Sequence, residues 1–201
     1  MVEEQQEVER PPQPTVTAID AISLPSLGAF LMFGEVNEEM AYRSIDFIVK
    51  ANILYDPQLT LTLFINSPGG TVSDGFAIID VMKTSRLPIQ TVSTGVIASM
   101  GVLIAAAGTK GKRVITKNTE IMTHQFSSMI YGKFHELMAA HKYHERLEMQ
   151  FLEFFKKNTK MTEKQVRDII FSPSDRWLTP QEALKYGIVD RISDYLVQEE
   201  D

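Results

Sequence analysis

The chain has no cysteine, one tryptophan and no apolar stretch of membrane-spanning length. Without cysteine, disulfides, thiolate metal sites and a cysteine nucleophile are all excluded. The longest uninterrupted apolar candidate, Met100 to Ala107, falls far short of the roughly 18 residues that a span needs. The first residues, Met1-Val2-Glu3-Glu4-Gln5, are acidic and lead into no apolar run, unlike the basic start of a secretory leader. Basic charge is also scarce, with 20 Lys and Arg against 26 Asp and Glu and a formal charge of −6. A nucleic-acid-binding face needs a basic patch or stripe, so neither a nucleic-acid nor a membrane partner is expected. A cytoplasmic location is the expectation.

What is present is ordinary for a globular protein, and 201 residues suit one α/β domain with a sizeable core. Residues 1–16 are acidic, Gln-rich and interrupted by Pro11, Pro12 and Pro14. They bury too little apolar surface to offset their ordering entropy, so a flexible tail is expected there. Short apolar runs predict strands at Ala29–Phe33, Leu59–Ile65 and Ile89–Val96, and around Val114 and Ile121. Asn37, followed by Glu38 and Glu39, predicts a helix start. A helix is expected through Phe76, Ile79 and Met82, and a short one from Ser99 to Ala107. Phe134 to Lys157 is the longest helical pattern, with Leu147, Phe151, Phe154 and Phe155 on one stripe. Thr162 with Gln165, and Thr179-Pro180-Gln181-Glu182, are capping boxes; Gly187 is placed to end the second helix. Strands alternating with helices predict a mainly parallel α/β sheet.

Several residues are candidates for chemistry, each with a plain structural reading beside it. Ser99 lies between an apolar strand and an apolar helix, where a helix N-terminus favours developing negative charge; it is equally a helix cap. Asn66-Ser67-Pro68-Gly69-Gly70-Thr71 joins a strand to a helix, and its glycines can aim N–H groups at one point. That loop is a phosphate cradle, half of an oxyanion hole or a tight turn. No Gly-Lys-Ser/Thr run follows it, which disfavours phosphate. His124 ends an apolar segment and can accept a serine proton near neutral pH, or serve as a hydrogen-bonded structural histidine. Asp175 precedes the second capped helix and can hold a histidine tautomer, or be a turn residue or partner of Arg176. His135, His141 and His144 lie in the long helix; no third metal ligand accompanies the last two, and no metal or cofactor is expected.

Together the segments Phe64-Ile65-Asn66-Ser67-Pro68-Gly69-Gly70, Gly95-x-x-Ala98-Ser99-Met100-Gly101, Met122-x-His124-Gln125 and Asp175-x-Trp177-Leu178-Thr179 to Asp190 resemble the Clp protease proteolytic subunits, over roughly residues 18–195. The resemblance implies a ClpP/crotonase-like core of repeated ββα units, spanning 17–133 and 158–197, with residues 134–157 as a protruding handle helix. It implies a serine endopeptidase with Ser99 as nucleophile, His124 as base and Asp175 as its orienter. Gly70 and Met100 would supply backbone oxyanion donors. Extended substrate would lie beside Gly69, Thr71 and Val72, and beside Gln125 and Phe126 after the histidine. It further implies a homo-oligomer of heptameric rings, stacked in pairs, fed with unfolded polypeptide by an ATP-driven AAA+ unfoldase. Two departures stand out: Phe126 occupies a usual proline position, and Ser174 the usual place of an arginine. Rival readings are a non-catalytic or partner-activated ring subunit, a capsid-maturation peptidase and an acyl-CoA enzyme of crotonase architecture.

Overall fold

Alternating strands and capped helices build a mainly parallel sheet in the computed structural model, which describes residues 23–125 and 131–193. The acidic segment 1–16 and Phe126 lie outside the described residues. The strands are β1 (Ala29–Phe33), β2 (Leu61–Ser67), β3 (Ile89–Ala98), β4 (Arg113–Thr116), β5 (Glu120–Thr123), β6 (Arg176–Leu178) and β7 (Arg191–Ser193). The helices are α1 (Glu38–Leu54), α2 (Val72–Thr84), α3 (Met100–Ala107), α4 (Phe134–Asn158), α5 (Glu163–Gln165) and α6 (Pro180–Tyr186). The sheet runs β1-β2-β3-β4-β7, all parallel, while β5 pairs with the far end of β3 and, antiparallel, with β6.

β3 serves two neighbours in succession because it is long and kinked. Thr91–Ser93 pair with β4, and Val96–Ala98 pair with β5. Between them the register against β2 shifts, from Ile65 opposite Ser93 to Ser67 opposite Ile97. Gly95 absorbs the irregularity at φ +65°, where a Cβ would stand 2.8 Å from Asn66 Oδ1; that oxygen accepts the Val96 N–H at 3.1 Å. The bulge bends the strand and carries its end toward β5.

One face of the parallel strands is fully covered, while the other leaves Leu31 and Phe33 of β1 exposed and alternate residues of β2 half-buried. Leu61, Leu63, Ile65, Ile89 and Ile97 are fully buried against Ile48 of α1, Ile78 of α2 and Leu103 of α3. α3 is buried along its whole length, as its uninterrupted apolar sequence requires. Only the C-terminal half of α4 joins the core, through Leu147, Phe151, Leu152, Phe154 and Phe155. Its first half leaves Phe134 79 % and Tyr143 45 % exposed. No helix of the described residues is long and apolar enough to cross a membrane.

The caps form where their chemistry predicts. Asn37 Oδ1 accepts the Met40 N–H at 3.0 Å. Thr179 Oγ1 accepts the Glu182 N–H while Glu182 Oε2 takes the Thr179 N–H at 2.8 Å, and Gly187 closes α6 at φ +71°. These bonds hold the Glu182 carboxyl below the usual range, chiefly through the Thr179 N–H. Thr179→Ala is expected to cost about 1 kcal/mol, measurable as a lower denaturant midpoint with unchanged slope.

Some boundaries differ from expectation. β2 begins at Leu61 rather than Leu59, because the Leu59 N–H is taken by Asp56 O in a turn, and it runs on to Ser67 through the bulge pairing. The helix capped by Thr162 stops being α-helical at Gln165 and continues as a π turn over Val166–Ile170. β6 and β7 have three residues each, too few for a strand period to show in sequence.

Besides the pairing of β7 with β4, the C-terminal elements are held to the sheet by an ion pair between a buried arginine and a half-buried aspartate. Arg113, 4 % exposed, donates from Nε to Asp190 Oδ2 at 2.9 Å and from Nη2 to Oδ1 at 2.6 Å. Asp190 also accepts N–H bonds from Gly111 and Arg113. Arg113 Nη1 reaches Asn158 O at 2.6 Å, so the pair joins β4, the end of α4 and the segment before β7.

Candidate active site

Ser99 stands one residue beyond β3, His124 one beyond β5, and Asp175 one before β6. Ala98 faces Met122 across the β3–β5 ladder, and the Ser99 N–H extends it by donating to Met122 O at 3.0 Å. Thr123 faces Arg176 across the antiparallel β5–β6 ladder, so His124 and Asp175 are the next facing positions. Residues far apart in sequence thus meet at one end of three adjacent strands. Ser99 and His124 are half-buried and line one cavity, whereas Asp175 is exposed. No hydrogen bond between these three side chains is closed among the described residues.

The turn at Ser99 is strained. At φ 50°, ψ −121° it is the one non-glycine residue with positive φ among the described residues, a state costing on the order of 1–3 kcal/mol. Its hydroxyl makes no cap bond to α3, so the plain capping reading does not hold. A serine on a sharp strand-to-helix turn projects its hydroxyl clear of the backbone.

The glycine loop lies directly against it. A Cβ on Gly69, at φ +90°, would stand 2.7 Å from both Ala98 O and Ser99 Cβ and 3.0 Å from Met100 N. Ser67 Oγ accepts the Gly69 N–H at 3.1 Å. Val36 holds one edge of the loop, donating to Gly69 O and accepting from the Thr71 N–H, both at 2.8 Å. The Gly70 N–H and carbonyl, between those two bonds, have no partner among the described residues. The same is true of the Met100 N–H at the first position of α3, where the helix dipole adds positive potential. Two N–H groups without a partner among the described residues thus lie on the two segments that meet at the strained serine, one following Gly69 and one following Ser99 itself.

The cavity is apolar and narrow, with about 20 Å³ of free space, room for about one water. Val72, Val102, Leu103, Phe151, Phe155, Ile170 and Phe171 make most of its wall. Of these only Val72 stood out in the sequence as a site residue. Phe151 and Phe155 belong to a stripe that periodicity reads as core, and Ile170 and Phe171 end and follow the π turn, which has no sequence period. Gln125 is exposed, and its N–H is spent on Ser172 O at 3.1 Å. On α4, His135 and His141 are exposed beside Glu136 and Glu145. No group of three His, Cys, Asp or Glu among the described residues is placed to hold a metal.

The family model of the Clp proteases matches residues 24–195. The chain belongs to the Clp protease family. It is 38 % identical over 162 residues to ATP-dependent Clp protease proteolytic subunit 3 of Rhodococcus jostii, covering 81 % of this chain and 79 % of that one. With proteolytic subunit 2 of Mycolicibacterium paratuberculosis it shares 36 % over 191 residues, 91 % of this chain and 92 % of the relative. Subunit 2 of Thermobifida fusca is 36 % identical over 158 residues, 79 % and 76 % of the two chains. As a Clp protease family member the chain is a peptidase, and its mixed α/β sheet is the family's fold.

Proposed function

We propose that this Clp family member is a serine endopeptidase subunit whose nucleophile is Ser99, with His124 as general base and Asp175 as the group that orients it. The observation that carries the reading is the shared end of β3, β5 and β6, which the ladder registers set, beside the strained turn at Ser99. His124 takes the hydroxyl proton as Ser99 Oγ bonds to the peptide carbonyl carbon. The oxyanion is met by the N–H groups of Gly70 and Met100. His124 then gives its proton to the leaving amine, the C–N bond breaks, and water attacks the acyl-enzyme by the reverse sequence. Asp175 balances the imidazolium that forms on the way. The apolar cavity favours an apolar side chain on the residue before the scissile bond.

The chain works in a ring of seven, stacked in pairs through the projecting half of α4. Two exposed apolar faces support assembly: Phe134, Leu137 and Met138 on α4, and Tyr42, Val49 and Ile53 on α1. Single chains seldom leave such patches uncovered. An ATP-driven unfoldase supplies extended polypeptide, which places the enzyme in the cytoplasm. Exposure of Asp175 also favours a second reading, in which the site closes only on assembly; specific activity would then rise with protein concentration.

The test is hydrolysis of a fluorogenic peptide with leucine before the cleaved bond. Ser99→Ala is expected to lower kcat by about 10⁴-fold or more; equal rates for the two proteins refute the assignment.

A further inference from the structure

We infer that Thr123 is a positioning residue that couples filling of the apolar cavity to the alignment of His124; this rests on His124 being the base. Thr123 is 2 % exposed, and its Oγ1 donates to Ile169 O at 2.7 Å. That carbonyl lies at the end of the π turn, where helix carbonyls lack intrahelical donors. Two residues further on, the Gln125 N–H donates to Ser172 O at 3.1 Å. His124 is therefore held between two bonds to one short segment, Ile169 to Ser172. The middle of that segment, Ile170 and Phe171, is cavity wall.

This geometry makes the wall and the base one mechanical unit. The cavity's roughly 20 Å³ admits about one water molecule and no branched side chain. A leucine side chain seats itself by displacing Ile170 and Phe171, and the displaced segment carries both flanks of His124 with it. A small side chain leaves the wall where it is. Large apolar residues before the scissile bond are then favoured in kcat and not merely in KM, the signature of an interaction realised in the transition state. The hydroxyl of Thr123 is the link: valine keeps the shape and removes the bond.

Kinetics of the assembled protein on two peptides differing only in leucine or alanine before the cleaved bond test this. The wild type is expected to show a kcat ratio, leucine over alanine, of about tenfold or more. Thr123→Val collapses the ratio below about threefold with KM within about twofold, and Thr123→Ser restores it. An unchanged ratio in Thr123→Val, or no recovery in Thr123→Ser, overturns the coupling. Should Thr123→Val fail to fold, the wild type decides through two peptidyl phosphonates with the same pair of side chains. A maximal labelling rate of Ser99 at least about tenfold faster for leucine supports the coupling, and equal maximal rates overturn it. Loss of the serine assignment looks different, since hydrolysis would then survive Ser99→Ala; failure of the coupling alone leaves hydrolysis dependent on Ser99.

Discussion

Asp190→Ala is expected to destabilise the fold by about 3–5 kcal/mol, the usual cost of leaving a buried charge without its partner. Arg113, at 5 % side-chain exposure, would keep its bonds to Asn158 O and Ala106 O but face no countercharge. The Gly111 and Arg113 N–H groups would lose their acceptor as well. A thermal unfolding midpoint lower by about 10 °C reads this out. Acid titration gives an independent check. Burial alone would raise the Asp190 carboxyl, but the Arg113 guanidinium and the two N–H bonds outweigh it and hold it below the ordinary range. A carboxyl depressed in the folded state stabilises fully above its unfolded pKa, about 3.9, and loses that contribution as pH falls through the lower folded value. The wild type should therefore lose stability between about pH 5 and the folded pKa, with a slope that is shallower in Asp190→Ala.

Gly70→Ala is expected to lower kcat by about 10²–10³-fold, the range for losing one oxyanion donor. The backbone sits at φ +149°, and a Cβ there would lie 2.2 Å from Val36 O. Since the carbonyl of Val36 also holds the Thr71 N–H, the loop must swing off Val36, moving the Gly70 N–H from the place proposed for it beside Ser99. Substrate affinity should change far less than kcat, because the ground-state carbonyl asks little of that donor. Burst or single-turnover kinetics separate the two. Equal kcat in the variant would remove Gly70 from the mechanism.

Local chemistry was readable in the sequence where a residue acts on its near neighbours. Asn37, Thr179 with Glu182, and Gly187 cap as their types dictate, and β1 occupies its apolar run residue for residue. Long-range register was not readable. Nothing in Gly95 alone says that β3 kinks and passes from β4 to β5, yet that bulge sets the strand end carrying Ser99. Three-residue β6 has no period, and its pairing with β5 is what sets Asp175 opposite His124. The cavity beside Ser99 was hidden for another reason. Phe151 and Phe155 follow a helical core period, and they do pack in the core while one edge of each faces the space beside Ser99.

The most direct measurement is covalent: the assembled protein is treated with a peptidyl phosphonate and the adduct is located by mass spectrometry. The account predicts a single adduct on Ser99, formed at a rate that His124→Ala reduces by orders of magnitude and Ser99→Ala abolishes. An adduct on another residue, or hydrolytic activity that persists with Ser99 unlabelled, would contradict it.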